Sequence, residues 1–351
     1  AAAEGLGKMG PAAAAAAAAL VARARDQYGT VRAAAVIALG QIGAEDEQVV
    51  RALVRVLDDE YWAARWAAGE ALAKLGPPAK AAVPALKRAL KHKDQVVRIR
   101  AAEALGRIAP LKESVPALIE ALKDEHRTVR YKAAEALGRI GPAASDAVAP
   151  LVVAMREEGR GVGGRTAGEG VHRARAAMAA TLARIGPRAV GPLAGALRVS
   201  DNNMQRYAAL ALAQMGPSVL PRLAEALKDK DAGTRRWAVD ALGRIGPPAV
   251  SHLIAALKDV DTWVRREAVG ALTYIGPAAA AAVPALIEAT RDRQRVVRYF
   301  AAGALGKMGP AAEKAVPALM ANLTDEFSDV RQAAAVALGE IGPRAKKAAG
   351  P

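Results

Sequence analysis

Apolar residues recur along the chain at helical spacing, and the helical pattern itself recurs. In Val129–Ile140 the apolar positions Val129, Ala133, Leu137 and Ile140 fall at i, i+4, i+8 and i+11, which predicts one buried helix face. The stretch closes on a glycine. That closing glycine returns at Gly10, Gly43, Gly76, Gly141, Gly186, Gly216, Gly246, Gly276, Gly309 and Gly342, with Ala109 in its place at one irregular copy. The intervals are 33, 33, 33, 32, 45, 30, 30, 30, 33 and 33 residues. A shorter apolar segment precedes each copy, as at Val148, Leu151 and Val152. Two helices per period of about 30 residues predict an all-α solenoid, because such a unit buries its apolar face only against its neighbours.

The polar punctuation agrees with this reading. A proline follows most of the closing glycines and opens the next helical segment, where its missing N–H is an orphan in any case. Pro84, Pro116, Pro150, Pro284 and Pro317 recur a few residues later, and are expected either to kink the first helix or to mark its true start. The difference between 33- and 30-residue copies lies in that same stretch. Acidic turns such as Asp124–Glu125 and Asp259–Asp261 precede the second helix, where they suit its N-terminus. A glycine before its last turn (Gly106, Gly138, Gly243, Gly306, Gly339) lowers helix propensity and predicts close approach of a neighbouring helix. The expected architecture is a single right-handed superhelix over 1–351, with about ten two-helix repeats and twenty-one helices. The chain opens on a half-helix ending at Met9 and closes on a stub from Pro343, as expected of a chain cut in mid-repeat at both ends.

Composition sharpens the class. The chain of 351 residues is 52% apolar but only 3% aromatic, and alanine carries much of the apolar share, which favours thin helical layers over strands. Net charge is +15, a field that admits nucleic acid or another polyanion as a partner and equally fits a generally arginine-rich surface. With no cysteine there is no thiolate chemistry or cysteine-bound metal, and the compartment stays open, with the cytoplasm as default. His92, His126, His172 and His252 share no metal-ligand spacing, so neither a cofactor nor a metal is called for. The alanine tract Ala12–Ala19 is too short to span a bilayer, and no transmembrane segment is expected.

The phrase V-R-x-x-A-A-E-A-L-G-x-I-G, repeated over nearly the whole chain, closely resembles the HEAT-like repeats of the phycobilisome-lyase type. The resemblance implies architecture more than activity. Proteins of that kind include bilin lyase subunits, adaptor scaffolds, DNA glycosylases built from helical repeats, and a di-iron hydroxylase whose His-Glu motifs bind metal. This chain has no His-Glu pair. Trp237 with Asp240, or Trp66 with Glu70, are its nearest positions to the glycosylases' tryptophan and acid.

Departures from the repeat locate a candidate surface. One arginine per repeat (Arg32, Arg65, Arg98, Arg130, Arg175, Arg235, Arg265, Arg298, Arg331) is read as an inter-repeat ladder with the turn aspartates, ahead of a phosphate-binding row; Gln205 holds that place in one copy. Eleven of twelve aromatic residues, all but Tyr274, fall at the turn or the first turns of the second helix, with basic residues among them. They are expected either to lid the helices on arginine stems or to form a binding strip. A glycine-rich insertion at about 156–172, ahead of a second helix expected from His172, emerges at the same edge. A basic stripe (Lys8, Lys74, Arg107, Arg139, Arg184, Arg244, Lys307) runs near the second helices' carboxyl ends, as their dipoles favour. The candidate binding surface is Trp62, Trp66, Tyr131, Arg156, Arg160, Arg165, Arg206, Tyr207, Arg236, Trp237, Trp263, Arg266 and Tyr299. No nucleophile–base pair appears. The expected function is a non-enzymatic scaffold binding another protein or peptide on an extended concave surface; the alternatives are nucleic-acid binding and a bilin lyase or its chaperone.

Overall fold

A computed structural model describes residues 2–43, 46–108, 112–158, 165–199 and 201–342. They form twenty-one α-helices, paired two to a repeat, with 3-10 turns between repeats and no strand among them. Each closing glycine ends a second helix. All ten have positive φ, from 57° at Gly309 to 89° at Gly186, and no other described residue does. At Gly76, Gly141 and Gly276 the amide reaches back to the carbonyl of Leu72, Leu137 or Leu272 as the chain leaves the helix. Glycine enters this region without the Cβ penalty, so its recurrence at the end of each period is a backbone requirement.

The recurring prolines mark helix starts. Pro84, Pro116, Pro284 and Pro317 are the second residues of Val83–Ala89, Val115–Ala121, Val283–Ala289 and Val316–Asn322, where no intrahelical N–H bond is lost. The bend lies earlier, in the 3-10 segment. Ala79, Ala144, Ala279 and Ala312 break it with φ between −81° and −95° and ψ between 17° and 23°. In 33-residue copies this segment spans Pro77–Ala82 or Gly276–Ala282; in 30-residue copies it shrinks to Pro187–Ala189, Gly216–Val219 or Pro247–Ala249. A 3-10 helix turns once in about 3 residues, so a three-residue deletion removes a whole turn and leaves the next helix facing the same way.

The chain divides into two compact units, Ala1–Ala189 and Val190–Pro351. In the first, the second helices Gly29–Ile42, Trp62–Leu75, Gln95–Ile108, Arg127–Ile140 and Arg165–Ile185 pack each on the next. Its core is a file of leucines from second helices (Leu39, Leu72, Leu105, Leu137, Leu182) facing a file from first helices (Leu53, Leu86, Leu118, Leu151), all buried. In the second, Asn202–Gln214, Ala232–Ile245, Thr262–Ile275, Arg295–Lys307 and Ser328–Ile341 stack likewise over Leu223, Leu253, Leu286 and Leu319. Each such leucine contributes about 2 kcal/mol by leaving water.

Small residues set how near the second helices approach. A methyl group on Gly106 would sit 2.7 Å from Ala136 Cα, and one on Gly243 would sit 2.8 Å from Ala271 Cβ. Gly138 meets Thr181 instead, whose hydroxyl donates to the Ala134 carbonyl at 2.8 Å and so remains satisfied. Gly339 has open space beside it, since it lies on the last described second helix.

One expectation needs correction. The helix after the insertion starts at Arg165, not near His172, so Gly168 and Gly170 are helical and the preceding helix runs to Glu157. Residues 159–164, with Arg160, lie outside the described residues, as do the Arg165 side chain, Ala109 and the stub from Pro343. Thr262–Ala289 has, by length and composition alone, the character of a membrane span, with mean hydropathy 1.5 over its most apolar window. It comprises the second helix of one repeat, a 3-10 turn and the first helix of the next, divided by Gly276 at φ 66°.

Candidate protein-binding surface

The repeating arginine forms the ladder. Arg32 Nε and Nη2 donate to both Asp59 carboxylate oxygens at 2.7 Å, and Arg32 Nη1 donates to the Asp26 and Gln27 carbonyls of its own turn. One guanidinium thus ties the turn it follows to the turn of the next repeat. The arrangement returns at Arg65–Asp94, Arg98–Asp124, Arg235–Asp259, Arg265–Asp292 and Arg298–Asp325. At Arg130 the acceptor is Glu158, wholly buried and shared with Arg127 at 2.8 Å. Each ladder aspartate also accepts from the amide two residues on, as Asp292 does from Gln294. Burial alone would raise the Asp59, Asp94 and Asp292 carboxyls, but hydrogen bonds from arginine and backbone, with the arginine charge, hold them below the usual carboxylate range. The Arg298 hydrogen bond does the same for Asp325.

The Gln205 copy is rewired. Gln205 Nε2 donates to the Leu197 carbonyl at 2.9 Å, and its Oε1 accepts from Trp237 Nε1 at 2.9 Å. The aspartate left by the missing arginine, Asp229, is taken by Arg198 at 2.6 Å. Arg175 donates to the Met155 carbonyl at 3.1 Å.

The second helices also carry an outward face, at one, two, five and nine residues beyond the ladder position. In the first unit much of this face is paired internally, leaving Arg139 and Arg184 exposed at the ninth position. Arg100 bonds Glu103 at 2.8 Å and approaches Glu70 at 3.8 Å; Arg107 and Lys132 also reach Glu103; Lys132 and the Tyr131 hydroxyl meet Glu135. Lys74 pairs with Glu70. Trp66 lies under Arg100, whose guanidinium carbon is 4.7 Å from the ring centre.

The second unit's face differs. Arg206, Arg236 and Arg266 take the first outward position in three successive repeats. Arg206 and Arg236 are exposed and make no ion pair or hydrogen bond among the described residues, while Arg266 meets Glu267 at 3.1 Å and lies 4.7 Å over Phe300. Further along, Tyr299, Phe300, Gly303, Ala333 and Val336 line a cavity of about 310 Å³ between Arg295–Lys307 and Ser328–Ile341. Tyr274 is 83% exposed on the same face.

The structure therefore sorts the candidate residues. Trp66, Tyr131, Arg206, Arg236, Trp237, Arg266 and Tyr299 sit on outward faces of second helices. Trp62 and Trp263, 62% and 55% exposed, project from their first turns. Arg156 instead occupies the last turn of the first helix Val148–Glu157. Tyr207 is 5% exposed and belongs to the packed interior, with the Arg206 guanidinium carbon 6.0 Å from its ring centre. Aromatic residues form two sets, not one strip: Phe327, at a turn, lies 4.7 Å under Arg295 and 5.7 Å under Arg298 as a lid, whereas Tyr274 and Tyr299 are outward. Sequence reading missed Tyr274, Gly303 and Val336. The available signal was chemical: glycine stands at 270 and 303 in the register that holds Glu70, Glu103 and Glu135 elsewhere.

A family model described as HEAT repeats matches residues 17–95, 83–169, 193–259 and 250–339. No curated protein matches the chain. Among solved structures, the karyopherin Kap121p, bound to the extreme C-terminus of the protein phosphatase Cdc14p, aligns over 93% of this chain and 41% of its own, with TM-score 0.60 and 14% identity. Kap95p, in a structure concerned with RanGDP, aligns over 93% of this chain and 51% of its own, with TM-score 0.52 and 14% identity. The CpcE–CpcF phycocyanin lyase complex of Nostoc sp. PCC7120 aligns over 42% of this chain and 97% of its own, with TM-score 0.38 and 24% identity. The chain thus spans about two fifths to one half of the karyopherins it resembles.

Proposed function

We propose that this chain, which belongs to the HEAT-repeat family, is a non-enzymatic protein-binding scaffold that receives partners on the outward face of its second helices. The carrying observation is a division of labour. Turn arginines are consumed at seven rungs among the described residues, whereas successive second helices present side chains in the same register with no internal role for several of them. Exposed aromatic residues in such a row are common anchors of protein contacts. The fold-level likeness to Kap121p, seen bound to the Cdc14p C-terminus and to Nup53p, supports segments of other proteins as ligands.

A photo-crosslinking amino acid at Tyr274 or Trp66, on this face, is compared with one at Arg88 or Lys228, on the first-helix side. Protein adducts from the first pair alone support the reading; equal adducts from both pairs overturn it. The net charge of +15 favours one second reading, nucleic-acid binding. Its signature is DNA affinity whose logarithm falls steeply with log salt, and absence of binding at low salt retires it.

A further inference from the structure

We infer that the second-helix face of Val190–Pro351 takes an extended peptide bearing acidic residues at one end and an apolar anchor at the other. This rests on the protein-binding reading and names the partner's chemistry. Arg206 and Arg236, in the same register one repeat apart, carry exposed charges that nothing in the described chain neutralises. On the equivalent face of the first unit Lys74, Arg100, Arg107 and Lys132 are already paired with Glu70, Glu103 and Glu135, and the cations left over, Arg139 and Arg184, stand at the helix ends and not at the first outward position. An incoming carboxylate at Arg206 or Arg236 therefore gains a partner without displacing one. Trp237 stands beside Arg236 with its indole N–H held by Gln205, so the ring is fixed before any ligand arrives.

Two to three repeats further lies the cavity over Gly303, whose charged lining residues Lys307 and Glu340 are paired with each other. A side chain at Gly303 would meet nothing within 4 Å, and Tyr299 and Val336, 38% and 54% exposed, form its apolar walls. Packed helices lie about 10 Å apart, and an extended chain advances about 3.3 Å per residue. One repeat therefore corresponds to about three ligand residues. Acids opposite Arg206 and Arg236 should stand about three residues apart, with the apolar anchor about six to nine residues beyond. A nucleic-acid strand fits this face less well. It carries a charge on every nucleotide, while the face offers unpaired cations, among the described residues, only at Arg206 and Arg236, Arg244 and Arg266 being paired with Asp240 and Glu267.

The test is selection from a phage-displayed library of random 16-residue peptides on the full chain, followed by fluorescence anisotropy of the enriched peptides. Single-stranded dT16 serves as the competing probe. Circular dichroism checks that each variant folds. Expected are peptides with acids three apart and a Leu, Phe or Ile six to nine residues away. Their affinity should fall at least tenfold in the R206E/R236E double variant and several-fold in Gly303→Leu, which fills the cavity, but not in R222E/K228E on the first-helix side. Enriched peptides that respond to Gly303→Leu but not to R206E/R236E overturn the acidic assignment and leave the scaffold reading standing. No enrichment, or dT16 binding abolished by R206E/R236E, overturns the inference; the crosslinking experiment then decides separately whether the face binds protein at all.

Discussion

Removing one rung of the ladder should loosen one junction of the stack. Arg265 and Asp292 have side chains 6% and 12% exposed. The arginine makes two bonds to the carboxylate, at 2.7 and 2.9 Å, and two to the Asp259 and Val260 carbonyls, at 2.9 and 3.2 Å. Arg265→Ala strands a largely buried carboxylate and two carbonyls. Breaking a buried pair from one side costs about 3–5 kcal/mol. Asp292 keeps the Gln294 amide at 2.8 Å and some contact with water, so the lower end applies, about 3 kcal/mol. Because each repeat touches only its neighbours, the loss should be local. At about 1.4 kcal/mol per factor of ten, opening of Thr262–Ile275 and Val283–Ala289 should rise roughly a hundredfold. Hydrogen exchange read by mass spectrometry measures this, with Asn202–Gln214 as the internal reference. Asp292→Ala and the double variant complete a cycle whose coupling should be about 2 kcal/mol. Coupling below about 0.5 kcal/mol, or protection lost equally in all repeats, would refute the ladder as the device that joins the turns.

The remaining predictions use different parts of the molecule. Asp59, Asp94, Asp292 and Asp325 titrate below the unfolded value of about 3.9, so their contribution is present above that pH and is lost as pH falls through their lower folded values. Melting temperature should therefore be flat from neutrality to about pH 4 and fall below it, less steeply in a variant with these aspartates changed to Asn. Gly106→Ala should destabilise by about 1–3 kcal/mol, because the methyl meets Ala136 Cα at 2.7 Å. Gly303→Ala, in open space, should stabilise by about 0.5–1 kcal/mol through helix propensity. Urea melts of the two variants should move in opposite directions. Gln205→Ala should cost about 1 kcal/mol by leaving the Trp237 indole N–H unpaired, with a shift in tryptophan emission that tracks it.

Much of this is legible in the chain because a solenoid is local. Helix pairing, the closing glycines and the ladder arginine all repeat at one period, so each copy reports the same constraint. The candidate surface was less legible. Tyr207 and Trp237 share a register and a residue class, yet one is buried and the other donates to a side chain 32 positions away. The first-helix prolines allow either a kink or a helix start, because sequence does not say where an α-helix replaces a 3-10 turn. Arg156 and Arg206 read alike as contact residues, and helix ends alone show that the first belongs to a first helix and the second to a second helix.

The sequence by itself determined the repeat, the two-helix unit, seven of the nine ladder donors and most sites of close helix approach, Gly339 being an exception. These follow from backbone conformation and periodic burial, which act within a few residues or across one period. Only the tertiary structure decided which charges are spent. A carboxylate on the next turn silences Arg265, while Arg206 and Arg236, of the same type one position along, face outward without one. Pairing depends on distances between side chains some 25–30 residues apart, fixed by packing. Composition reports a net charge of +15 but not which cations remain available to a partner.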